Sequence, residues 1–445
     1  MMNNKITEGT IWKQAILFFI PILFGTFFQH LYTIVDAVIV GRGLGTAELA
    51  AVGGSAAKYI AMITNFFIGI SIGVTAYASR SYGEKNFKKL KAIIFNGTLL
   101  FVCLGLIFSI IGIVFSFEFL NLMGTPKDNI DLSNTYLKTY LYGILFCVIY
   151  NLFTGILRAM GDSKRPLYIL MFCSILNIIL DLLLALVLGL GVFGVAIATV
   201  FSQGVSAVLL FILLLRSLEN TEHYKLSVDF PLMKDVAILG IPAGIQSILA
   251  SFSNMAVQST VNTFSTMTVA AWSAYIKLDG IVDAFISALS GSVITFVGQN
   301  LGAGKIDRVK KSVKQITIIG YMMMPIIIAV FILNRFTLLS MFTTDQEVVA
   351  TSANILLFVI PMYIVTIPQY LLSQAVRGLG KSIMPMLLGL FGSVGLRLLW
   401  IFVIFPYNPT IEFLGLSYPV ISFIMSILFF AYYRIVVNRL EYNKP

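Results

Sequence analysis

About twelve long apolar stretches run along this chain, and most of its charges fall between them. A helix needs roughly 17–25 consecutive apolar residues to cross the hydrocarbon core of a bilayer. Stretches of that length, without the period-two alternation of strands, argue against a β-barrel. Charged residues make up 11% of the chain, less than half of the about 25% carried by soluble proteins. The chain therefore reads as an all-α polytopic membrane protein. Twelve spans are expected: 13–40, 48–79, 92–117, 135–157, 166–188 and 192–215, then 236–263, 268–299, 313–335, 350–375, 384–405 and 414–436.

The second six repeat the first at a fixed offset of 219 residues. Lys58 recurs as Lys277, Gly83 as Gly302 and Lys91 as Lys310. Arg158, Gly161, Ser163 and Pro166 recur as Arg377, Gly380, Ser382 and Pro385. One constant shift over such a length implies a duplicated unit with no large internal insertion. Six spans per unit give both copies the same orientation, so two parallel six-helix repeats around a central cleft are expected. The division is 1–216 for the first lobe, 217–234 for a polar interlobe linker on the cytoplasmic side, and 235–445 for the second lobe.

The formal net charge of +10 invites a nucleic-acid reading, but its placement points elsewhere. With the N-terminus in the cytoplasm, external segments hold only Arg42, Lys127, Lys138 and Arg335. The turn after span 2 holds Arg80, Lys85, Lys88, Lys89 and Lys91, and its copy after span 8 holds Lys305, Arg308, Lys310, Lys311 and Lys314. This is the positive-inside bias that orients membrane helices, and no nucleic acid is needed to account for it. The first apolar run lacks a small-residue cleavage site and reads as a span. Cys103, Cys147 and Cys173 form no CxxC, which argues against a disulfide framework or a zinc site.

The copies differ in their acids. At the repeat offset Asp36 falls on Met255, Asn177 on Leu396 and Asp181 on Trp400. Asn177 and Asp181 are four residues apart and share one helical face. A carboxylate within a span is costly unless paired, protonated or hydrated. Asp181 therefore suits proton exchange or, with amide and hydroxyl oxygens beside it, Na⁺ coordination; the alternative is interhelical glue. Asp36 ends the first apolar run and reads equally as a site acid or a solvated capping residue. Thr199, in span 6, carries a weaker signal, because such hydroxyls commonly bond back to their own helix. In the second lobe Asp279 and Asp283 share a face, and Asp283 is the preferred substrate carboxylate. Lys277 beside them reads as either an ion-pair partner or a substrate contact. Arg397 stands alone deep in span 11. Pro21 and Pro242 punctuate the first span of each lobe, where proline breaks a helical hydrogen bond and allows a kink.

Other signals fail on context. GRGLG at 41–45 follows a membrane span rather than a strand, and no phosphate-binding GxxxxGK[ST] occurs. His30 and His223 are far apart, and Asn96-Gly97-Thr98 matches a glycosylation acceptor only by its letters. No HExxH or convergent nucleophile and base supports an intramembrane enzyme.

Taken together, VDAVIVGRGLGTAELAAVG at 35–53, RAMGDSKRP at 158–166 and NIILD at 177–181 resemble the multidrug and toxic compound extrusion (MATE) family over nearly the whole chain. The resemblance implies exchange of cationic or amphipathic organic compounds for H⁺ or Na⁺ between two six-helix lobes. It maps the first-lobe ion site onto Asp36, Asn177, Asp181 and Thr199. In the DinF-like branch it maps helix bending onto Pro21 and cleft lining onto Tyr32. The branch with an acid in span 7 is disfavoured, since residues 242–263 and 350–375 hold none. The resulting expectation is a secondary active efflux transporter of a bacterial plasma membrane, with both termini cytoplasmic. It would act as a monomer, with no cofactor beyond the coupling ion and with no role in nucleic-acid binding or catalysis. The alternative is a lipid or lipid-linked oligosaccharide flippase of the same wider superfamily.

Overall fold

A computed structural model describes residues 6–219, 221 and 227–442. Among them there are helices and turns but no strand. Eleven helices are long and apolar enough to cross a membrane, and a bent pair supplies a twelfth span. We label the spans α1 (Ile11–Gly43), α2 (Thr46–Gly83), α3 (Phe87–Val114), α4 (Lys127–Tyr142 with Ile144–Ala159), α5 (Lys164–Val187) and α6 (Gly191–Leu218). The second set is α7 (Phe230–Val261), α8 (Thr266–Gly302), α9 (Ile306–Leu333), α10 (Gln346–Gly378), α11 (Ile383–Tyr407) and α12 (Ile411–Tyr442). The two segments of α4 meet at 51° around Gly143.

The duplication extends to helix ends. The starts of α1, α3, α4 and α5, and the ends of α2, α3 and α4, all recur 219 residues later. Burial repeats as well. In α2 and α8, 67% and 72% of the most apolar stretch is enclosed, against 22% and 28% in α3 and α9. The enclosed pair thus forms the packing centre of each half, while the open pair offers its side chains to lipid. Both enclosed spans exceed the expected length, and about 37 residues at 1.5 Å each rise well beyond a 30 Å hydrocarbon core.

By contacts, the chain divides into two compact units whose borders cut through α1 and α7. One unit is Ile20–Gly244; the other joins the described residues up to Phe19 to those from Ile245 onward. The sequence boundaries at 216 and 235 follow the repeat, whereas the contact borders fall beside Pro21 and Pro242. The first part of α7 is held in the first unit by glycine. A Cβ on Gly73 would lie 2.7 Å from the Gly240 nitrogen and the Val236 oxygen, and one on Gly69 would lie 2.5 Å from Gly244. Small residues four apart let membrane helices approach to backbone contact. In exchange, the first part of α1 packs in the second unit, with Phe18 edge-on to Phe296 at 5.9 Å and Phe19 to Phe285 at 5.5 Å. Arg308 donates to the Ile6 carbonyl and Lys305 to the Thr7 carbonyl.

Much of the 217–234 linker, with His223, lies outside the described residues. Its far end is fixed by Asn96, whose amide donates to the Ser227 carbonyl at 3.2 Å and whose oxygen accepts from Asp229 N–H at 2.8 Å. Asp229 in turn accepts from Leu232 N–H and caps α7. Asn96 is thus a buried anchor for the linker.

Candidate functional site

The site grows from an irregularity in α5. The helix is regular to Leu180, and from Asp181 to Val187 its turns widen to the π form. Such turns often mark functional sites, because they redirect side chains and leave backbone groups less tightly committed. Asp181 opens the wide segment and is fully buried; Asn177, one turn earlier, is 3% exposed. Two glycines let neighbouring backbones close on this segment. A Cβ on Gly43 of α1 would lie 2.5 Å from Leu186, and one on Gly194 of α6 would lie 2.8 Å from the Leu184 backbone.

The end of α1 brings Asp36 beside Asp181, close enough for each carboxyl to bear on the other. Tyr136 of α4 stands within electrostatic reach of both acids and of Tyr32. Neither oxygen of Asp181, neither amide atom of Asn177 and not the buried Oδ1 of Asp36 has a hydrogen-bond partner among the described residues. Buried polar atoms in proteins are nearly always satisfied. An orphaned cluster of this kind is an acceptor set of hard oxygens. Two adjacent carboxylates away from water repel unless a proton or a cation lies between them. The donor set suits H⁺ or a small hard monovalent ion. Among the described residues no group of three or more His, Cys, Asp or Glu exists to hold a multivalent metal.

A polar cavity of 170 Å³ adjoins the cluster, and Tyr32, Asn177 and Thr199 all line it. Thr199 does bond back to its own helix, donating to the Val195 carbonyl at 3.0 Å. That bond uses its proton and leaves oxygen lone pairs for a ligand. Three further lining residues went unnoticed in the sequence: Tyr140, Asn151 and Gln203. Gln203 donates to the Tyr140 hydroxyl at 2.8 Å, and Asn151 donates to the Cys147 carbonyl at 2.9 Å. A signal for them existed. Tyr32/Asp36, Tyr136/Tyr140, Cys147/Asn151, Asn177/Asp181 and Thr199/Gln203 are all polar pairs four residues apart on apolar helices.

The second half is built differently. Asp279 accepts hydrogen bonds from Tyr275, at 2.9 Å, and from Tyr363 of α10. Asp283, one turn on, is open to solvent-accessible space. Lys277 neutralises neither acid; its ammonium lies 5.1 Å over the Phe342 ring. This corrects the ion-pair reading, and the reason is directional: residues two apart on a helix point away from each other. Arg397 donates to the Asn254 amide oxygen at 2.7 Å and stacks 4.2 Å over Tyr418. It anchors α11 to α7 and α12 with no acid involved. Pro21 lies inside α1, which continues as helix on both sides of it.

Comparison with known proteins agrees with the duplicated reading. The MatE family model matches residues 21–183 and 242–403, one match in each half. The probable multidrug resistance protein YoeA of Bacillus subtilis is 29% identical over all of this chain and 98% of its own length. The probable multidrug resistance protein YpnP of the same organism is 31% identical over 69% of each chain. A crystal structure of MATE in the straight conformation superposes with a TM-score of 0.91 at 21% identity, covering both chains completely.

Proposed function

The chain belongs to the MatE family of membrane transporters, and from that premise we propose that it is a secondary active multidrug efflux transporter with its coupling ion in the first half. It exchanges cationic or amphipathic organic compounds for H⁺ or Na⁺ by alternating access, in the DinF-like manner. The observation that carries the ion site is the meeting of the buried, unpartnered carboxyl of Asp181 with the half-buried Asp36, whose Oδ1 also lacks a partner among the described residues.

Two forms of the site follow from charge. With a proton or Na⁺ between the carboxyls, α1 and α5 are held together at Gly43 and Leu186. With the ion gone the acids repel. Two unit charges 4 Å apart repel by about 4 kcal/mol at an effective dielectric constant near 20. Roughly 5.5 kcal/mol moves a two-state equilibrium from 1:99 to 99:1, so repulsion of this order biases such a switch. Pro21, where the contact units change over, is the place for α1 to yield. Tyr32 lines the cavity and offers a ring face to a cation. In the second half the carboxylate of Asp283 is the substrate-side charge, and Lys277 is a further substrate contact. The protein works as a monomer in a bacterial plasma membrane with both termini cytoplasmic.

Counterflow in proteoliposomes under separately imposed Na⁺ and pH gradients tests this reading. A fluorescent organic cation should accumulate against its gradient when one ion gradient is imposed, and accumulation should collapse when that gradient is dissipated. Transport indifferent to both gradients would rule out ion antiport. Single cysteines in the 81–91 and 303–311 turns, in a cysteine-free background, should label only from the cytoplasm. External labelling of either turn would overturn the orientation.

A further inference from the structure

In the second unit the first turns of α9, the later part of α10 and the last turns of α12 enclose a groove of 780 Å³. Its walls are apolar, formed by residues such as Val313, Leu372 and Val437. It also carries Lys310, Lys314 and Arg434, and no acid lines it. Lys310 is paired with Glu441 outside the lining. The Arg434 guanidinium lies 4.7 Å over the Phe430 ring, which leaves its N–H edge free to donate. Lys314 is exposed and enters none of the ion pairs among the described residues. The Tyr433 hydroxyl, also in the lining, is buried without a hydrogen-bond partner.

The duplication shows that the fold does not require this polar set. The positions 219 residues before Lys314, Tyr321, Tyr433 and Arg434 hold Phe95, Val102, Leu214 and Leu215. The counterpart of Lys310, Lys91, donates to the Thr221 carbonyl. These four positions are apolar in the first half, where Leu214 is buried. In the second half these positions gain two cations and two phenols within about two helical turns.

We propose that this groove binds one anionic phospholipid. Its phosphate sits against Lys314 and Arg434 and accepts from Tyr433, and its acyl chains lie along the apolar walls. Charge complementarity excludes the exported cation, which these groups repel. The apolar walls of three membrane spans favour a lipid over a soluble anion. Basic pockets between membrane helices at the headgroup level are the sites where anionic headgroups bind.

The test uses the full-length protein in nanodiscs of phosphatidylcholine alone or mixed with phosphatidylglycerol. It reads the melting temperature and, by native mass spectrometry, the lipid retained. Wild type should melt higher with phosphatidylglycerol and retain one molecule of it. Each cation near the surface is worth about fivefold in binding, so Lys314→Gln/Arg434→Gln should weaken retention roughly 25-fold and abolish the shift. Removal of two cations elsewhere, Lys88→Gln/Lys381→Gln, should leave both readings unchanged. Should the double variant not fold in phosphatidylcholine, Tyr433→Phe carries the test and should lower retention severalfold. A shift that survives these substitutions overturns the proposal. So does equal stability in both lipids, or a shift reproduced in phosphatidylcholine by free glycerol phosphate.

Discussion

Asp181 and Trp400 occupy the same place in the two halves of the molecule, and each opens a π-helical segment, Asp181–Val187 and Trp400–Ile404. The widened turn is therefore a property of the duplicated fold and not a consequence of the acid. What differs is its surroundings. In the first half Gly194 brings α6 backbone against the segment and leaves the acid beside Asp36. At the equivalent position in the second half stands Phe413, whose ring packs on Trp400 at 5.1 Å. Asp36, Asn177 and Thr199 are replaced there by Met255, Leu396 and Tyr418. One half keeps an oxygen cluster at the wide turn, and the other fills the same space with rings. On the proposed function, a duplicated fold carries its ion chemistry in a handful of side-chain exchanges.

The largest expected effect breaks this contrast at its centre. Asp181→Asn keeps the side-chain shape and removes the shared charge, so uphill transport should be abolished while a cationic substrate still binds in an equilibrium assay. Only a ligand with different affinity for the two states can shift them, and the substituted site no longer discriminates. Asp36→Asn should act in the same direction. Trp400→Phe, at the repeat position, should keep coupling once a thermal melt shows an intact fold. Full gradient-driven transport by a well-folded Asp181→Asn protein would falsify the first-half mechanism.

A smaller, selective effect is expected in the other half. Asp283 of α8 is the counterpart of Thr64, which lines the first-half cavity. A carboxylate where the first half has a hydroxyl should matter for positive cargo alone. Asp283→Asn should lower transport of cations by about tenfold, equivalent to roughly 1.4 kcal/mol, and barely alter that of neutral amphiphiles. Equal loss for both classes, at matched expression, would make Asp283 a structural residue.

How much of this was legible follows from where each signal lives. Twelve spans and the duplication lie in local patterns, and those patterns hold in the structure; the pair Asn177/Asp181 is equally local, and the structure shows both residues buried. Tyr136, Tyr140, Asn151 and Gln203 carried the same i,i+4 signal. It went unread because a tyrosine or amide in a span is ordinary until its neighbour on another helix is known. The exchange of the first parts of α1 and α7 was invisible for a different reason. A repeat offset records ancestry, whereas packing follows surface fit, and nothing local shows that Gly69 and Gly73 meet Gly240 and Gly244. Lys277 misled because proximity in sequence is not direction on a helix.

The helix exchange gives the third comparison. Gly69 and Gly73 of α2 correspond to Ala288 and Ser292 of α8, so at these positions the first half alone packs without Cβ atoms. Gly73→Ala places a methyl 2.7 Å from backbone atoms of α7 that have no side-chain freedom to yield. It should cost about 1–3 kcal/mol, the usual range for overpacking, read as lower melting temperature and yield. Ser292→Ala, at the partner position, should cost less than 1 kcal/mol.

The smallest effect concerns two turns that differ by one side chain. Lys85 has φ of 56° and its repeat partner Gly304 has φ of 69°, so both turns need the left-handed conformation. A residue with a Cβ enters that region at a cost of roughly 1–2 kcal/mol. Glycine enters it freely but loses about 0.5–1 kcal/mol more chain entropy on folding. The difference favours glycine by up to about 1.5 kcal/mol. Lys85→Gly should therefore raise the melting temperature slightly and leave transport unchanged, while Gly304→Lys should lower it by a similar amount. Lys85 also belongs to the basic turn that follows α2, where positive charge holds a span's orientation. On the proposed orientation, that role accounts for a strained lysine there: the turn gives up a little stability and keeps a charge. If Lys85→Gly left the melting temperature unchanged while disturbing cysteine-labelling topology, orientation rather than backbone strain would govern the position. A rise in melting temperature with intact topology would make the strain argument the governing one.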